Sequence, residues 1–264
     1  MKTILQKLLL ATLMLLCLTN ATAHDFEVNG IYYNILSETE RCVEVTYCGE
    51  SYSSSKVYYG SVVIPKTVTY NDVTYHITNI RGFAFYNCTG LTSVTIGDSV
   101  TSIDGQAFAG CSGLTSVTIP NSVTRIGGYA FSNCSNLTYV HISDIAAWCG
   151  IDFNNDSSNP LYYAHNLYLN GELVIDLVIP DDVAKIKNRA FQNCAGLTSL
   201  TIGKSVTSIG LYAFSGCSNL INLSIGNNVT NVGEHAFNKC TGLTSVTIPN
   251  SVTSIGRNAF YGCI

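Results

Sequence analysis

Charged side chains are scarce in this 264-residue chain, since Asp, Glu, Lys and Arg together make up 11% of it. Basic residues do not predominate, because the 13 Lys and Arg are outnumbered by 17 Asp and Glu. This balance excludes the basic surface that nucleic acids and anionic lipids require of a protein partner. Low charge together with 22 glycines is typical of a uniform, turn-rich β architecture rather than of an α/β enzyme.

The N-terminus has the pattern of a secretory signal peptide. Lys2 and Lys7 precede an apolar run at residues 8–18, and the small residues Ala21 and Ala23 follow it. The run is about half of the roughly 20 residues that a membrane-spanning helix needs, so cleavage after Ala23 is favoured over retention as an anchor. No later segment is apolar enough to span a bilayer. The mature chain, with 11 basic and 17 acidic side chains and a net charge of −6, is expected to be secreted or exposed at the cell surface.

Most of the remaining sequence repeats with a fixed period. Ala-Phe dipeptides recur with a cysteine three residues after each phenylalanine, and successive cysteines lie 23 residues apart except for one interval of 60. A period in this range predicts a solenoid of stacked coils, in which both residue types form columns in the core. The repeated residues are Phe85, Phe108, Phe131, Phe191, Phe214, Phe237 and Phe260, with Cys88, Cys111, Cys134, Cys194, Cys217, Cys240 and Cys263.

One repeat shows how a coil is built. The segment Leu114-Thr-Ser-Val117-Thr-Ile119 alternates apolar and polar residues, which predicts a strand with Ser116 and Thr118 facing outward. After a Pro-Asn-Ser turn, Val123-Thr-Arg-Ile126-Gly127 predicts a second short extended segment. A single coil cannot bury its own apolar residues, so neighbouring coils must stack into one continuous core. The predicted fold class is a β-rich solenoid.

Three motifs recur together over about residues 62–264: Leu-x-x-Val-x-Ile, as at Leu91-x-x-Val94-x-Ile96, then Val-x-x-Ile-Gly, then Ala-Phe-x-x-Cys. This combination resembles the BspA-like, or Treponema-type, leucine-rich repeats of bacterial surface proteins. The resemblance implies a leucine-rich-repeat solenoid with 23-residue coils. It also implies a secreted or cell-surface adhesin that contacts host extracellular proteins or other cells. The alternative is a structural or self-associating repeat module without a dedicated ligand.

Two regions depart from the repeat. Residues 24–61 have the alternating strands and the Asn-Gly turn of an N-terminal β cap, and repeats follow at 62–142. An insert or extended repeat is predicted at 143–176, with a short helix around Trp148 and a hairpin turn at Asn170-Gly171, before repeats resume at 177–264. The sequence stops at Cys263-Ile264 with no polar cap, so a fragment is expected, and self-association through the C-terminal coil is a further expectation.

The insert and the strand before it are the predicted binding region, because they concentrate aromatic residues beside a face lined by Ser and Thr. Aromatic side chains usually dominate binding energy, whereas Ser and Thr contribute little. The alternative is that Trp148 and Phe153 pack inside the insert, which leaves Tyr162 and Tyr163 as the better candidates. We expect a protein or another cell-surface ligand as the partner. The candidate residues are Tyr139, His141, Trp148, Phe153, Tyr162, Tyr163 and Tyr168.

The sequence pattern favours neither catalysis nor a cofactor. Coils about 4.8 Å apart hold their cysteines farther apart than the roughly 3.8 Å between the Cβ atoms of a disulfide, which predicts free buried thiols. Cys42 and Cys48 could close a disulfide within the cap. A line of cysteines does not suit tetrahedral zinc. Asp152 and Asp156 lie in a predicted loop, where solvation explains them without an acid/base pair. We therefore expect no enzyme, no metal and no bound cofactor.

Overall fold

The computed structural model describes residues 24–49 and 57–263, and these residues form a stack of β coils. The predicted signal peptide, at residues 1–23, lies outside the described residues. Within the described part of the chain, no helix has the length and apolar character needed to cross a membrane. The β-rich solenoid predicted from the sequence is confirmed.

Six strands form the N-terminal end: β1 (Phe26–Val28), β2 (Ile31–Ser37), β3 (Cys42–Thr46), β4 (Gly60–Ile64), β5 (Thr67–Tyr70) and β6 (Val73–Ile80). β1, β2 and β3 are antiparallel neighbours, β3 pairs in parallel with β6, and β5 pairs antiparallel with β6. Phe26 stacks on Tyr70 with ring centroids 4.2 Å apart. Cys42 and Cys48 are both free thiols, so the disulfide considered for this region is not formed.

From residue 91 onward, a regular coil contributes one front and one back strand, except the last described coil, which contributes a back strand alone. In the first half these are β7 (Leu91–Ile96), β8 (Ser102–Ile103), β9 (Ser116–Thr118), β10 (Arg125–Ile126), β11 (Tyr139–Ile142), β12 (Asp152–Phe153), β13 (Leu167–Leu169) and β14 (Glu172–Leu173). In the second half they are β15 (Asp176–Val178), β16 (Lys185–Ile186), β17 (Ser199–Thr201), β18 (Ser208–Ile209), β19 (Asn222–Ser224), β20 (Asn231–Val232) and β21 (Ser254–Ile255). Short helices span Ile145–Cys149 and Leu161–Ala164, and a 3-10 helix spans Asp156–Ser158.

Parallel stacking produces two sheets on opposite sides of the core. The front sheet contains the Leu-x-x-Val-x-Ile strands, in the order β14-β13-β11-β9-β7-β4 and, after a break, β15-β17-β19. The back sheet contains the Val-x-x-Ile-Gly strands, in the order β6-β8-β10-β12 and, after a break, β16-β18-β20-β21. Regular coils pair at the 23-residue period, as when Val94 lies opposite Val117.

Apolar residues of both sheets meet the turn residues in one core. Val117 of the front sheet and Ile126 of the back sheet belong to the same buried cluster as Phe131. The phenylalanine rings stack along the solenoid, with centroids 4.8 Å apart in the first pair of coils and 5.1–5.4 Å apart in the others. Phe260 and Cys263 keep their predicted places in the columns, next to Phe237, but they are not buried as the other members are. Both are partly exposed, because no described coil stacks beyond them.

The glycine of Val-x-x-Ile-Gly marks a close approach between coils. A Cβ atom added at Gly233 would lie 2.6 Å from the carbonyl carbon of Gly210 in the preceding coil. Real Cβ atoms do not approach backbone atoms so closely, so a side chain here would push the two coils apart. The motif therefore helps to set the spacing of the back sheet.

Five of the repeat cysteines donate a hydrogen bond from the thiol to a phenylalanine carbonyl oxygen of the preceding coil. The Cys111 thiol donates a hydrogen bond to the Phe85 carbonyl oxygen at 2.9 Å, and Cys134 donates to Phe108 at 3.2 Å. Burial raises the thiol pKa of Cys134 and Cys240 to about 12. Since the thiolate is the reactive form, a raised pKa and burial both lower reactivity.

We expect a thiol reagent at pH 8 to label no more than Cys42, Cys48 and Cys263 in the native mature chain. Seven other cysteines are buried, and all ten become available after denaturation. Thiol counting with and without denaturant gives the comparison. Rapid native labelling at Cys111 or Cys217 would contradict the buried column.

Between Cys134 and Cys194 the chain has more residues than one 23-residue coil needs. The additional residues remain part of the stack. Leu167 of β13 lies opposite Val140 of β11, 27 residues earlier, which closes one expanded coil. The chain then turns back into β14 through Asn170 and Gly171, both at positive φ, and the next front strand places Leu177 in register with the following coil. The region predicted as an insert or extended repeat thus consists of an expanded coil followed by a hairpin.

The expanded coil has no phenylalanine in the usual column. In a regular coil, the phenylalanine N–H donates to the alanine of the next Ala-Phe pair; Phe131 instead donates to Ser157 at 3.0 Å. Ser158, which is fully buried, therefore occupies the position of the next phenylalanine. The ring stack is interrupted between Phe131 and Phe191.

Two side chains of the expanded coil donate hydrogen bonds to backbone carbonyl groups of the next coil. The buried Trp148 donates from Nε1 to the carbonyl oxygen of Ala190 at 2.7 Å. The buried Asn159 donates from Nδ2 to the same oxygen at 3.2 Å and to that of Arg189 at 2.7 Å. These bonds connect the expanded coil to the first coil of the second half.

Candidate functional site

The outward side chains of the front sheet stand in rows across neighbouring strands. Ser93 and Ser116 align in one row, and Thr95 and Thr118 align in the adjacent row. At β11 the first row continues with Tyr139. Alternate residues of a strand face the same side, so the strand register places aromatic side chains of β11 in the same rows as the hydroxyl side chains of β7 and β9.

Tyr139, His141 and Tyr168 form a cluster that we call the aromatic patch. The ring centroid of Tyr168 lies 5.4 Å from that of Tyr139 and 5.2 Å from that of His141. Tyr139 is 42% exposed, and the other two side chains are partly exposed. The parallel pairing of β11 with β13 sets His141 opposite Tyr168. The patch therefore presents three rings to solvent on two neighbouring strands.

A shallow groove of about 580 Å³ lies beside the aromatic patch. Its walls include the hydroxyl rows, His141 of the patch, and the turn residues Asn170 and Gly171. None of the residues that line it carries a carboxylate, an ammonium or a guanidinium group. This surface can form hydrogen bonds and apolar contacts with a partner, and it offers no carboxylate for an ion pair with Lys or Arg.

Trp148 and Phe153 do not belong to this surface, which corrects their inclusion among the binding candidates. Trp148 is 1% exposed and Phe153 is 5% exposed, and their ring centroids are 5.3 Å apart. The short helix begins at the N-cap Asp144, whose Oδ1 accepts a hydrogen bond from the Ala147 N–H, and it directs Trp148 into the core. These two aromatics hold the expanded coil in the stack.

Tyr162 and Tyr163 lie on the short helix before β13, apart from the aromatic patch. Their rings contact each other at 5.2 Å. The Tyr163 hydroxyl accepts a hydrogen bond from the Asn133 N–H at 3.1 Å, so this side chain joins the expanded coil to the coil before it. Both are partly exposed. The seven predicted residues thus separate into an exposed patch, a buried pair and a partly exposed pair on the short helix.

Sequence reasoning missed a second groove, which lies where the front sheet breaks. Leu173, Ile175 and Val178 are 38%, 45% and 62% exposed there, between β14 and β15. We call this the edge groove; its volume is about 460 Å³. One signal was available in the sequence, since Val178 takes an outward position that Thr201 and Ser224 take in the next two coils.

The carboxylates considered in the sequence are engaged in ion pairs. Asp152 contacts Lys187 at 2.8 Å, and Asp156 contacts Arg189 at 2.8 Å. No group of three or more His, Cys, Asp or Glu side chains in the described ranges is arranged to hold a metal ion. These carboxylates join the expanded coil to the next coil.

The comparison with family models gives one match. The model described as the BspA type leucine rich repeat region matches in six copies, over residues 54–154 and 164–264. Between the two matched segments, only residues 155–163 of the expanded coil are left out. No curated protein matches the chain.

Several solved structures of bacterial repeat proteins are similar to this chain. The Treponema pallidum leucine-rich-repeat protein is 22% identical with a TM-score of 0.53, over 83% of this chain and 90% of its own. A leucine-rich cell surface protein of Faecalibacterium prausnitzii is 22% identical with a TM-score of 0.38, over 90% and 86%. A leucine-rich-repeat protein of Bacteroides capillosus is 26% identical with a TM-score of 0.42, over 57% and 99%. The first of these likenesses supports the fold.

Proposed function

Because this chain belongs to the BspA-type leucine-rich-repeat family, we propose that it is a secreted or cell-surface binding protein whose ligand is another protein. The observation that carries this proposal is the aromatic patch on a front sheet that is otherwise lined by Ser and Thr. An adhesin that contacts host extracellular proteins or other cells is the specific form of the proposal. The predicted signal peptide supports export.

The physical argument rests on how binding energy is distributed over an interface. Tyrosines are enriched among the residues that dominate affinity, whereas Ser and Thr are under-represented there. The rings of Tyr139 and Tyr168 combine a large apolar area with a polar hydroxyl, and the neighbouring hydroxyl rows surround them with hydrogen-bonding groups. The neutral groove beside the patch favours a partner surface with few charges.

Binding of the mature chain, residues 24–264, to immobilised host extracellular-matrix proteins tests the proposal. The informative variant is Tyr139→Ser/His141→Thr, which installs the residues that Ser116 and Thr118 provide in the preceding coil. We expect at least about a tenfold loss of affinity, equivalent to about 1.4 kcal/mol. Surface plasmon resonance with the parent and the variant measures it.

Tyr129→Ser is the matched control, because Tyr129 is also exposed but lies in a turn outside the front sheet. This variant should bind like the parent. Thermal melts must show that all three proteins are equally folded. Unchanged affinity of the double variant for a matrix protein that the parent binds would remove the aromatic patch from the interface.

The second candidate is a self-associating module. The last described coil leaves β21 at the edge of the back sheet, with Ile255 and Tyr261 exposed. A coil of another copy could cover these apolar groups. Sedimentation of the mature chain over a range of concentrations distinguishes the two candidates, since a monomer at all concentrations argues against self-association.

A further inference from the structure

We infer that the edge groove binds an extended segment of a partner polypeptide, which adds a strand to the free edge of β15 and carries apolar side chains alternating with Lys or Arg. This inference rests on the proposed binding function, because it names the kind of segment that a protein partner would supply. The edge groove adjoins the aromatic patch, since Leu173 lies opposite Tyr168, but none of the three patch residues lines it.

Two strand edges face the edge groove. β14 is the last strand of the first part of the front sheet, and β15 is the first strand of the second part. On the side away from β17, β15 pairs with no strand of the described residues. An edge strand presents unpaired N–H and C=O groups, and an extended peptide can pair with such groups as an added strand.

Apolar side chains surround this edge. Leu173 belongs to β14, Ile175 lies between the two strands, and Val178 ends β15. All three are exposed, although Val178 continues a row that holds Thr201 and Ser224 in the following coils. An added strand would cover apolar surface at this edge and would exclude water from it, which favours binding.

The charges of the edge groove define the polar side of the partner segment. Glu172 and Asp176 line the groove, and none of its lining residues is Lys or Arg. Asp176 and Val178 share the outward face of β15, whereas Leu177 between them lies on the buried face. An added strand can therefore turn apolar side chains toward the core and place its other side chains on the outward face, beside the Asp176 carboxylate. Basic residues at alternate positions complement the carboxylates of the groove, and a nucleic acid or another anionic polymer does not.

A synthetic octapeptide provides the probe, with four Val-Lys repeats, an acetylated N-terminus and an amidated C-terminus. We expect the mature chain to bind it with a sub-millimolar dissociation constant by isothermal titration calorimetry. Two further peptides test the mode of binding. One has every backbone nitrogen methylated, which removes the donors needed for strand pairing, and the other has Glu in place of Lys. Both should bind at least about tenfold more weakly, equivalent to about 1.4 kcal/mol.

Val178→Lys in the protein tests the location. It places a charge on the exposed edge, which is how natural edge strands are protected from pairing, and should weaken binding at least about tenfold. Ser224→Lys is the matched control, because it adds the same charge in the same row but two strands away from the edge. It should retain binding, and thermal melts check that both variants are folded.

The inference is overturned if the parent does not bind the basic peptide, if the methylated peptide binds as well as the unmodified one, or if Val178→Lys binds like the parent. It is also overturned if the mature chain dimerises and Val178→Lys dissociates the dimer, since the occupant is then a second copy. Peptide binding does not involve the aromatic patch. Its failure therefore leaves the Tyr139→Ser/His141→Thr result unchanged, and the reverse also holds.

Discussion

Phe214→Ala is expected to lower the free energy of unfolding by about 3–5 kcal/mol, the usual cost of emptying a packed aromatic site. Phe214 has no exposed surface and stacks between Phe191, at a centroid distance of 5.1 Å, and Phe237, at 5.4 Å. The substitution removes contacts with both neighbouring rings and leaves a cavity that two rigid coils cannot close. Denaturant unfolding of the mature chain measures the loss.

Phe260→Ala is the matched control for this column. Phe260 stacks on Phe237 at 5.2 Å but is partly exposed, so solvent can fill part of the space that the ring leaves. Its effect should be less than half of that of Phe214→Ala. A loss below about 1 kcal/mol for Phe214→Ala would mean that the column does not stabilise the solenoid.

Trp148→Ala is expected to destabilise the chain by a similar amount, about 3–5 kcal/mol. The indole is buried against Phe153, and its Nε1 donates to the Ala190 carbonyl oxygen at 2.7 Å. Alanine would remove the apolar volume and the donor together, although Asn159 would still reach the same oxygen. Denaturant unfolding of this variant beside the parent gives the measurement.

Trp148→Phe separates the two contributions. Phenylalanine keeps most of the apolar volume but has no N–H, so we expect a smaller loss, of about 1–2 kcal/mol. A variant that remains folded should bind any matrix protein as the parent does, because Trp148 is buried and cannot touch a partner. Equal stability of the parent and Trp148→Ala would contradict the structural role.

The regular coils could be predicted because one period fixes both the strands and the core. Once Leu114-x-x-Val117-x-Ile119 is placed as a strand, the alternation of side chains along it puts Ser116 outward. Stacking of the coils then aligns Ser116 with Tyr139. The phenylalanine and cysteine columns follow from the same period. Phe260 and Cys263 differ because burial in a column depends on a coil on each side, which their spacing does not reveal.

The expanded coil was less predictable, because its path depends on contacts that have no counterpart in the repeat. The aromatic composition of this region could not tell buried from exposed rings. Trp148 is buried and donates to the Ala190 carbonyl oxygen, whereas Tyr139 faces solvent. The Asn170-Gly171 hairpin was predicted from its turn residues. That this hairpin leaves β15 with a free edge depends on the stacking register of the whole front sheet, which no local pattern contains.

The interruption of the ring stack also bears on how the chain unfolds. In a solenoid, stability is roughly a sum of the intrinsic stabilities of the coils and of the interfaces between neighbours, so the weakest interface limits cooperativity. Phe131 and Phe191 end two separate stacks, and neither sheet continues across the boundary. The interface includes the bonds from Trp148 and Asn159 and the ion pairs of Asp152 and Asp156. The two halves are therefore natural units of partial unfolding, each able to open while the other keeps its own ring stack.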